Sequence, residues 1–260
     1  MCFTMRLSNR ETVVNLVSSG EVADTAIASG SNPAGTKLIA PLWHTLTVVL
    51  FLLTLSALGA RSHSLAPVAS AHGHTRGYLT VIGIEWLLVG FVWWGVRLRK
   101  VRMRDLIGGD GITFLHVIRD LGIAILFLIS SNIVLATMAY LLKATRNQAV
   151  RSLVPSGRQE VVMYLLLSLT AGICEEIVCR GYLQKQFAAL TKNIWAGIAI
   201  QGIIFGAAHG YQGSKMMLVI AVYGCLFGLL VLWRKSLQPG MMVHALQDGL
   251  VGVLARTAPR

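Results

Sequence analysis

Charged residues are scarce in this chain. Only 13% of its 260 residues are Asp, Glu, Lys or Arg, against 55% hydrophobic, where a soluble domain carries about 25% charged residues. The mean hydropathy is +0.65. A water-soluble core does not need so much apolar sequence, so the deficit selects lipid as the solvent. Acidic residues are scarcer still, 11 against 23 Lys and Arg, for a net charge of +12. A basic stripe with interleaved aromatics is absent, which argues against nucleic acid as a partner. The basic residues sit instead in short segments between apolar runs, as in Arg97, Arg99, Lys100, Arg102 and Arg104. That is the pattern of loops facing anionic lipid headgroups. Cysteines are few: Cys2, Cys174, Cys179 and Cys225, three of them within apolar runs. Their spacing carries neither a disulfide framework nor a Cys-x-x-Cys zinc site, so they read as buried, reduced thiols.

What is present is a succession of seven apolar runs, roughly Leu42–Ala60, Tyr78–Val96, Leu121–Leu142, Val161–Phe187, Ile194–Ala208, Met216–Trp233 and Pro239–Leu254. Each spans or nearly spans a hydrocarbon core, which needs about 20 helical residues. The expected fold is all-α, a polytopic transmembrane bundle of about seven to eight helices. It divides into a polar N-terminal tail (1–37), N-terminal membrane helices (38–160) and a catalytic membrane core (161–256). The tail is mixed in charge and does not read as a secretory signal. The fifth and seventh runs are short and contain histidine, so neighbouring helices must shelter them. The loop at 61–77 carries His63, His72 and His74 without an evident acidic or cysteine partner, and is read as a mobile loop rather than a metal site. Trp43, Trp93, Trp94 and Trp233 lie near run ends, as interface anchors do. With seven spans, 13 Lys and Arg fall on the N-terminal side and 9 on the other, Arg180 set aside. This favours a cytoplasmic N-terminus in a cell (inner or plasma) membrane.

The chemistry lies in the C-terminal half. Glu175 and Glu176 are adjacent in the middle of the fourth run, where even one ionised carboxylate costs about 2.5–3.5 kcal/mol on insertion scales. Glu176 and Arg180 are spaced i, i+4 and can pair. Glu175 is about 100° around the helix and has no such partner. His209 follows Phe205 by one turn in the fifth run. In the seventh, His244 and Asp248 are again i, i+4, so that Asp248 can orient the imidazole. Three helices thus offer polar groups at membrane depth, most simply in one internal, water-accessible cavity. Glu85, alone in the second run, faces the same cavity or snorkels, and is assigned no catalytic role.

Glu-Glu-x-x-x-Arg at 175–180, Phe-x-x-x-His at 205–209 and His-x-x-x-Asp at 244–248 occur in that order. The order resembles the CPBP family, also called the Abi or CAAX-protease family, which includes the type II CAAX prenyl endopeptidase of eukaryotes and many bacterial relatives. Arg180-Gly181-Tyr182-Leu183, His209-Gly210-Tyr211-Gln212-Gly213 and Ser236-Leu237 are similar to the family's flanking sequence. The likeness covers roughly Val161–Leu254. It implies a glutamic-type intramembrane endopeptidase without a cofactor, acting on a membrane-associated peptide or lipidated protein. Glu175 would be the general base for a water held with His209. His244, with Asp248, would stabilise the oxyanion. Glu176, Arg180 and Phe205 would be supporting scaffold. The best-known members have Asn where this chain has Asp248, while many bacterial members carry Asp. An ionised Asp cannot donate to an oxyanion, which leaves Asp248 to orient His244 or to be protonated.

Two alternatives use the same residues. Glu175, His209 and His244 make a credible catalytic zinc set, although His-Glu-x-x-His is missing from the chain. A transport or immunity-type membrane protein would use them as a proton or ligand site.

Overall fold

The computed structural model describes residues 37–65, 74–109, 113–144 and 154–256. The polar tail at 1–36 and the loop histidine His72 lie outside these residues, as do Cys2 and the side chain of His63. The described chain is all-α: α1 (Leu42–Leu65), α2 (Thr75–Arg97), a short α3 (Met103–Ile107), α4 (Phe114–Leu141), α5 (Arg158–Thr191), α6 (Ile194–Ala208), α7 (Ser214–Arg234) and α8 (Gln238–Ala255). Each of the seven apolar runs corresponds to one of the longer helices. Five of these, α1, α2, α4, α5 and α7, are long and apolar enough to cross a membrane, and α6 is a shorter apolar helix. The chain is a multi-pass membrane protein.

The two short histidine-bearing helices are sheltered as expected. α6 packs against α7 and the C-terminal part of α5, while α8 packs against the N-terminal part of α5 and against α4. Small residues permit the approach. A Cβ on Gly172 of α5 would fall 2.7 Å from the Ala245 backbone nitrogen of α8. Close backbone approach through glycine is how membrane helices gain packing energy without a hydrophobic driving force. α2 runs alongside α5, with His74 beside Glu160 and Tyr78 beside Tyr164 at its start.

Two features escaped the apolar pattern. Helix α3 is too short to register as a run, and it forms where the Asp105 carboxylate accepts from the Arg102 amide at 3.2 Å and closes its first turn. The Arg102 guanidinium beside Asp105 holds its exposed carboxyl below the usual range. Helix α3 is docked at its far end. Lys185 Nζ donates to the Asp105 and Leu106 carbonyls at 2.6 and 3.0 Å, and the Leu237 amide donates to the Ile107 carbonyl at 2.8 Å. Gly108, at φ 69°, makes the turn, and a side chain there would strike the Lys235 carbonyl. The start of α8 is thereby fixed, and with it the height of His244. The second feature is a π-helical segment, Ile177–Leu183, inside α5. It begins directly after Glu176, and such wide turns recur at functional sites.

Several buried polar groups on the N-terminal side are paired. His44 Nε2 donates to the Phe91 carbonyl at 2.9 Å, and its Nδ1 lies 2.8 Å from the Tyr182 hydroxyl. Asp120 of α4 accepts from Arg119 and from Arg234 of α7, both at 3.1 Å. On the opposite face His74 does have an acidic partner, contrary to the sequence reading: its Nδ1 is 3.2 Å from Glu160. The two are 86 residues apart, so local sequence could not show the pairing. Cys174 and Cys179 are buried and unbridged, and Cys225 is half-buried and unbridged.

Candidate active site

The site is built around the middle of α5, where the α-helical turns give way to the π segment. Glu176 and Arg180 form the expected ion pair, Nη1 to Oε1 at 2.9 Å, with both side chains wholly buried. Arg180 is clamped between two rings. Its guanidinium carbon lies 4.2 Å from the Phe205 centroid and 4.8 Å from that of Phe227. Cation–π contacts gain strength when desolvated. Phe205, expected from the sequence as a supporting residue of the site, is part of the cation's seat. Phe227 of α7 carried no signal at all.

His244 is held differently from the sequence expectation. Its Nδ1 lies 3.0 Å from Glu176 Oε1, the same oxygen that receives Arg180. With Glu176 accepting from the guanidinium, the ring donates through Nδ1, so Glu176, not Asp248, fixes the tautomer. Asp248 is one turn along α8, its Oδ2 3.8 Å from His244 Nε2. The i, i+4 spacing brings it into ion-pair range but not into a hydrogen bond, whose N···O limit is about 3.2 Å. The carboxylate on the neighbouring helix is wholly buried, whereas the Asp248 side chain is 40% exposed. Gly240 allows this approach: a Cβ there would come within 3.2 Å of Glu176 Oε2.

Glu175 points to the other side of the ring. Its Oε2 lies 3.7 Å from His244 Nε2 and receives no hydrogen bond from any donor among the described residues, although the atom is buried. The two glutamates thus differ as the helical geometry predicts: Glu176 is paired through Oε1 with Arg180 and His244, while its Oε2 is buried without a donor among the described residues, and Glu175 has no cation on its own helix.

His209 closes α6. Its Nδ1 donates to the Phe205 carbonyl at 2.8 Å, which leaves Nε2 as the lone-pair nitrogen. The ring joins the group through Asp248, which is within Coulombic reach of His209, Glu175 and His244. The site also contains a residue to which the sequence reading gave no role. Glu85 of α2 is within Coulombic reach of Glu175, His244 and Asp248, and its buried Oε2 has no donor among the described residues. Its position as the lone carboxylate of an apolar helix was the available signal. Among the described residues no three His, Cys, Asp or Glu side chains are gathered as a metal site, the set Glu175, His209 and His244 included.

Residues 157–250 match the family described as type II CAAX prenyl endopeptidase Rce1-like. No curated protein and no solved structure matches the chain. The matched segment contains Glu175, Glu176, Arg180, Phe205, His209, His244 and Asp248, and leaves out Glu85. Residues 157–250 of this multi-pass membrane protein are thus similar to the Rce1-like family of CAAX-type membrane proteases.

Proposed function

We propose that the chain is a glutamate-dependent intramembrane endopeptidase that hydrolyses a peptide bond in a membrane-associated or lipidated polypeptide. The observation that carries this reading is the open oxygen of Glu175. A carboxylate oxygen buried beside an imidazole, with no donor satisfying it, is a competent proton acceptor for a water brought with the substrate. Glu175 takes a proton from that water, aided by the Nε2 lone pair of His209. The hydroxide adds to the scissile carbonyl, and the carbonyl oxygen becomes an oxyanion. His244, as the imidazolium, donates through Nδ1 to Glu176 and through Nε2 to that oxyanion. Collapse breaks the C–N bond, and Glu175 returns its proton to the leaving amine. Arg180 and its two phenyl rings hold Glu176 in place, and Asp248 sets the charge facing His209 and His244. In this reading the N-terminus is cytoplasmic and the membrane is the inner or plasma membrane.

The test is cleavage of a labelled transmembrane or lipidated peptide by the purified full chain in liposomes. Wild type is expected to cleave, and Glu175→Ala and Glu175→Gln to lose cleavage while unfolding at the wild-type temperature. Full activity in Glu175→Gln would remove Glu175 as the base. Equally little cleavage by wild type and variant across several peptides would remove the peptidase reading in favour of a binding or transport role.

A further inference from the structure

We propose that Ser56 of α1 is a positioning residue for His209: its hydroxyl clamps the backbone on both sides of that histidine and so sets where the imidazole stands in the site. The inference deepens the peptidase reading and rests on it for its kinetic consequence, though not for the placement of the ring.

Helix α6 ends at Ala208, and His209 stands between its last turn and the tighter turn Gly210–Gln212. The end of a helix leaves backbone carbonyls without an intrahelical partner, and inside a bilayer no water satisfies them. Here one hydroxyl serves both strands of the turn. Ser56 Oγ donates to the Ala207 carbonyl at 2.7 Å and accepts from the Gly210 amide at 2.9 Å. These two groups flank His209 in the chain. The Ser56 side chain is buried, and a hydroxyl can donate and accept through the same atom. Other helical hydroxyls show the usual alternative. Thr47, Thr80, Thr137 and Ser168 each donate to the carbonyl four residues back in their own helix. Ser56 gives its proton to α6 instead. Gly210 admits the contact, since a Cβ there would fall 2.7 Å from Ser56 Oγ. The bond from His209 Nδ1 to the Phe205 carbonyl orients the ring relative to α6, but it does not fix the end of α6 within the bundle. Ser56 supplies that constraint from another helix, where α1 packs against α6 and its closing turn. Ser56 lies outside the family-matched segment 157–250, so an N-terminal helix holds in place a residue of the C-terminal site.

The ring position is tested without catalysis. In nitrogen-15 spectra of the histidine-labelled full chain in lipid, the His209 ring signals are identified by their loss in His209→Ala. Ser56→Ala is expected to move them while leaving the His44 signals in place, and to speed exchange of the Gly210 amide about 10-fold. Unmoved His209 signals overturn the proposal. The kinetic consequence is read from cleavage of the membrane peptide, with kcat taken per folded molecule. Ser56→Ala is expected to lower kcat about 10- to 100-fold with KM within about twofold, the effect of a small misplacement of a reacting group. Ser56→Thr, which keeps the hydroxyl, is expected to recover kcat to within about threefold and to return the His209 signals to their wild-type positions. Wild-type kcat in Ser56→Ala overturns the positioning role. So does a folded Ser56→Thr variant with wild-type His209 signals that is as slow as Ser56→Ala. If Ser56→Ala does not fold, Ser56→Cys decides. Its thiol is a weak donor, so displaced His209 signals and a kcat lowered about 3- to 10-fold are expected, and wild-type values of both count against the proposal. A wild-type protein that cleaves nothing defeats the peptidase reading, while the His209 signals still decide the placement of the ring.

Discussion

Removing Glu176 should be the most damaging single change to the stability of this protein. The Glu176→Ala chain loses an oxygen that accepts from Arg180 at 2.9 Å and lies 3.0 Å from His244. It leaves a guanidinium with no exposed surface, whose remaining hydrogen bond is a long one to the Gly224 carbonyl, 3.5 Å. Breaking a buried ion pair from one side costs about 3–5 kcal/mol, because the surviving charge is stranded. The Phe205 and Phe227 rings, at 4.2 and 4.8 Å, still face the cation and offset part of this, since desolvated cation–π contacts reach about 2 kcal/mol. The lower end, about 3 kcal/mol, is the expected loss. The assay is unfolding of the detergent-solubilised protein by titration with sodium dodecyl sulfate, followed by tryptophan fluorescence, for which the chain has six reporters. The double variant Glu176→Gln, Arg180→Met removes both charges at near-constant volume, and should be more stable than Glu176→Ala alone. A loss under about 1 kcal/mol, the size of an exposed pair, or a double variant worse than the single one, would refute the account of Glu176 as the anchor of Arg180 and His244.

Other outcomes follow from the same geometry. His209→Ala should abolish cleavage of a membrane peptide while costing about 1 kcal/mol or less in the same titration, because its ring donates to the Phe205 carbonyl of its own helix. Gly172→Ala would place a methyl group 2.7 Å from the Ala245 nitrogen and 2.9 Å from the Met241 carbonyl. It should force α5 and α8 apart at a cost of about 1–3 kcal/mol and lower cleavage by lengthening the Glu176–His244 contact. Exhaustive chelation should leave peptide cleavage intact, and activity lost on chelation and restored by zinc would point to Glu175, His209 and His244 as ligands instead. The Asp105 cap, with a carboxyl held below its usual 3.8 by Arg102, stabilises α3 at neutral pH. Because the folded value is the lower one, that stabilisation is complete above about pH 4 and is lost as the pH falls through the folded value. Asp105→Asn should reproduce the loss at pH 7 as faster amide exchange in α3.

The sequence by itself determined the solvent and the helix count, because hydropathy and charge scarcity are properties of composition along the chain. It also separated Glu176 from Glu175, since the i, i+4 relation to Arg180 is local and the ion pair forms where helical spacing puts it. Position in an apolar run marked His209, His244 and Asp248 in the same way. What spacing could not reveal was partnership across helices. His244 has a carboxylate one turn away on its own helix, yet its proton goes to Glu176 on α5, because that oxygen is already desolvated beside a buried cation and Gly240 lets the helices close. Phe227 came to Arg180, and Glu160 to His74, only through packing. The π turn after Glu176 has no signature in composition. The two carboxylates the sequence left without partners, Glu85 and Glu175, sit 90 residues apart in the chain. Only the packing of α2 along α5 brings them within Coulombic reach of one another.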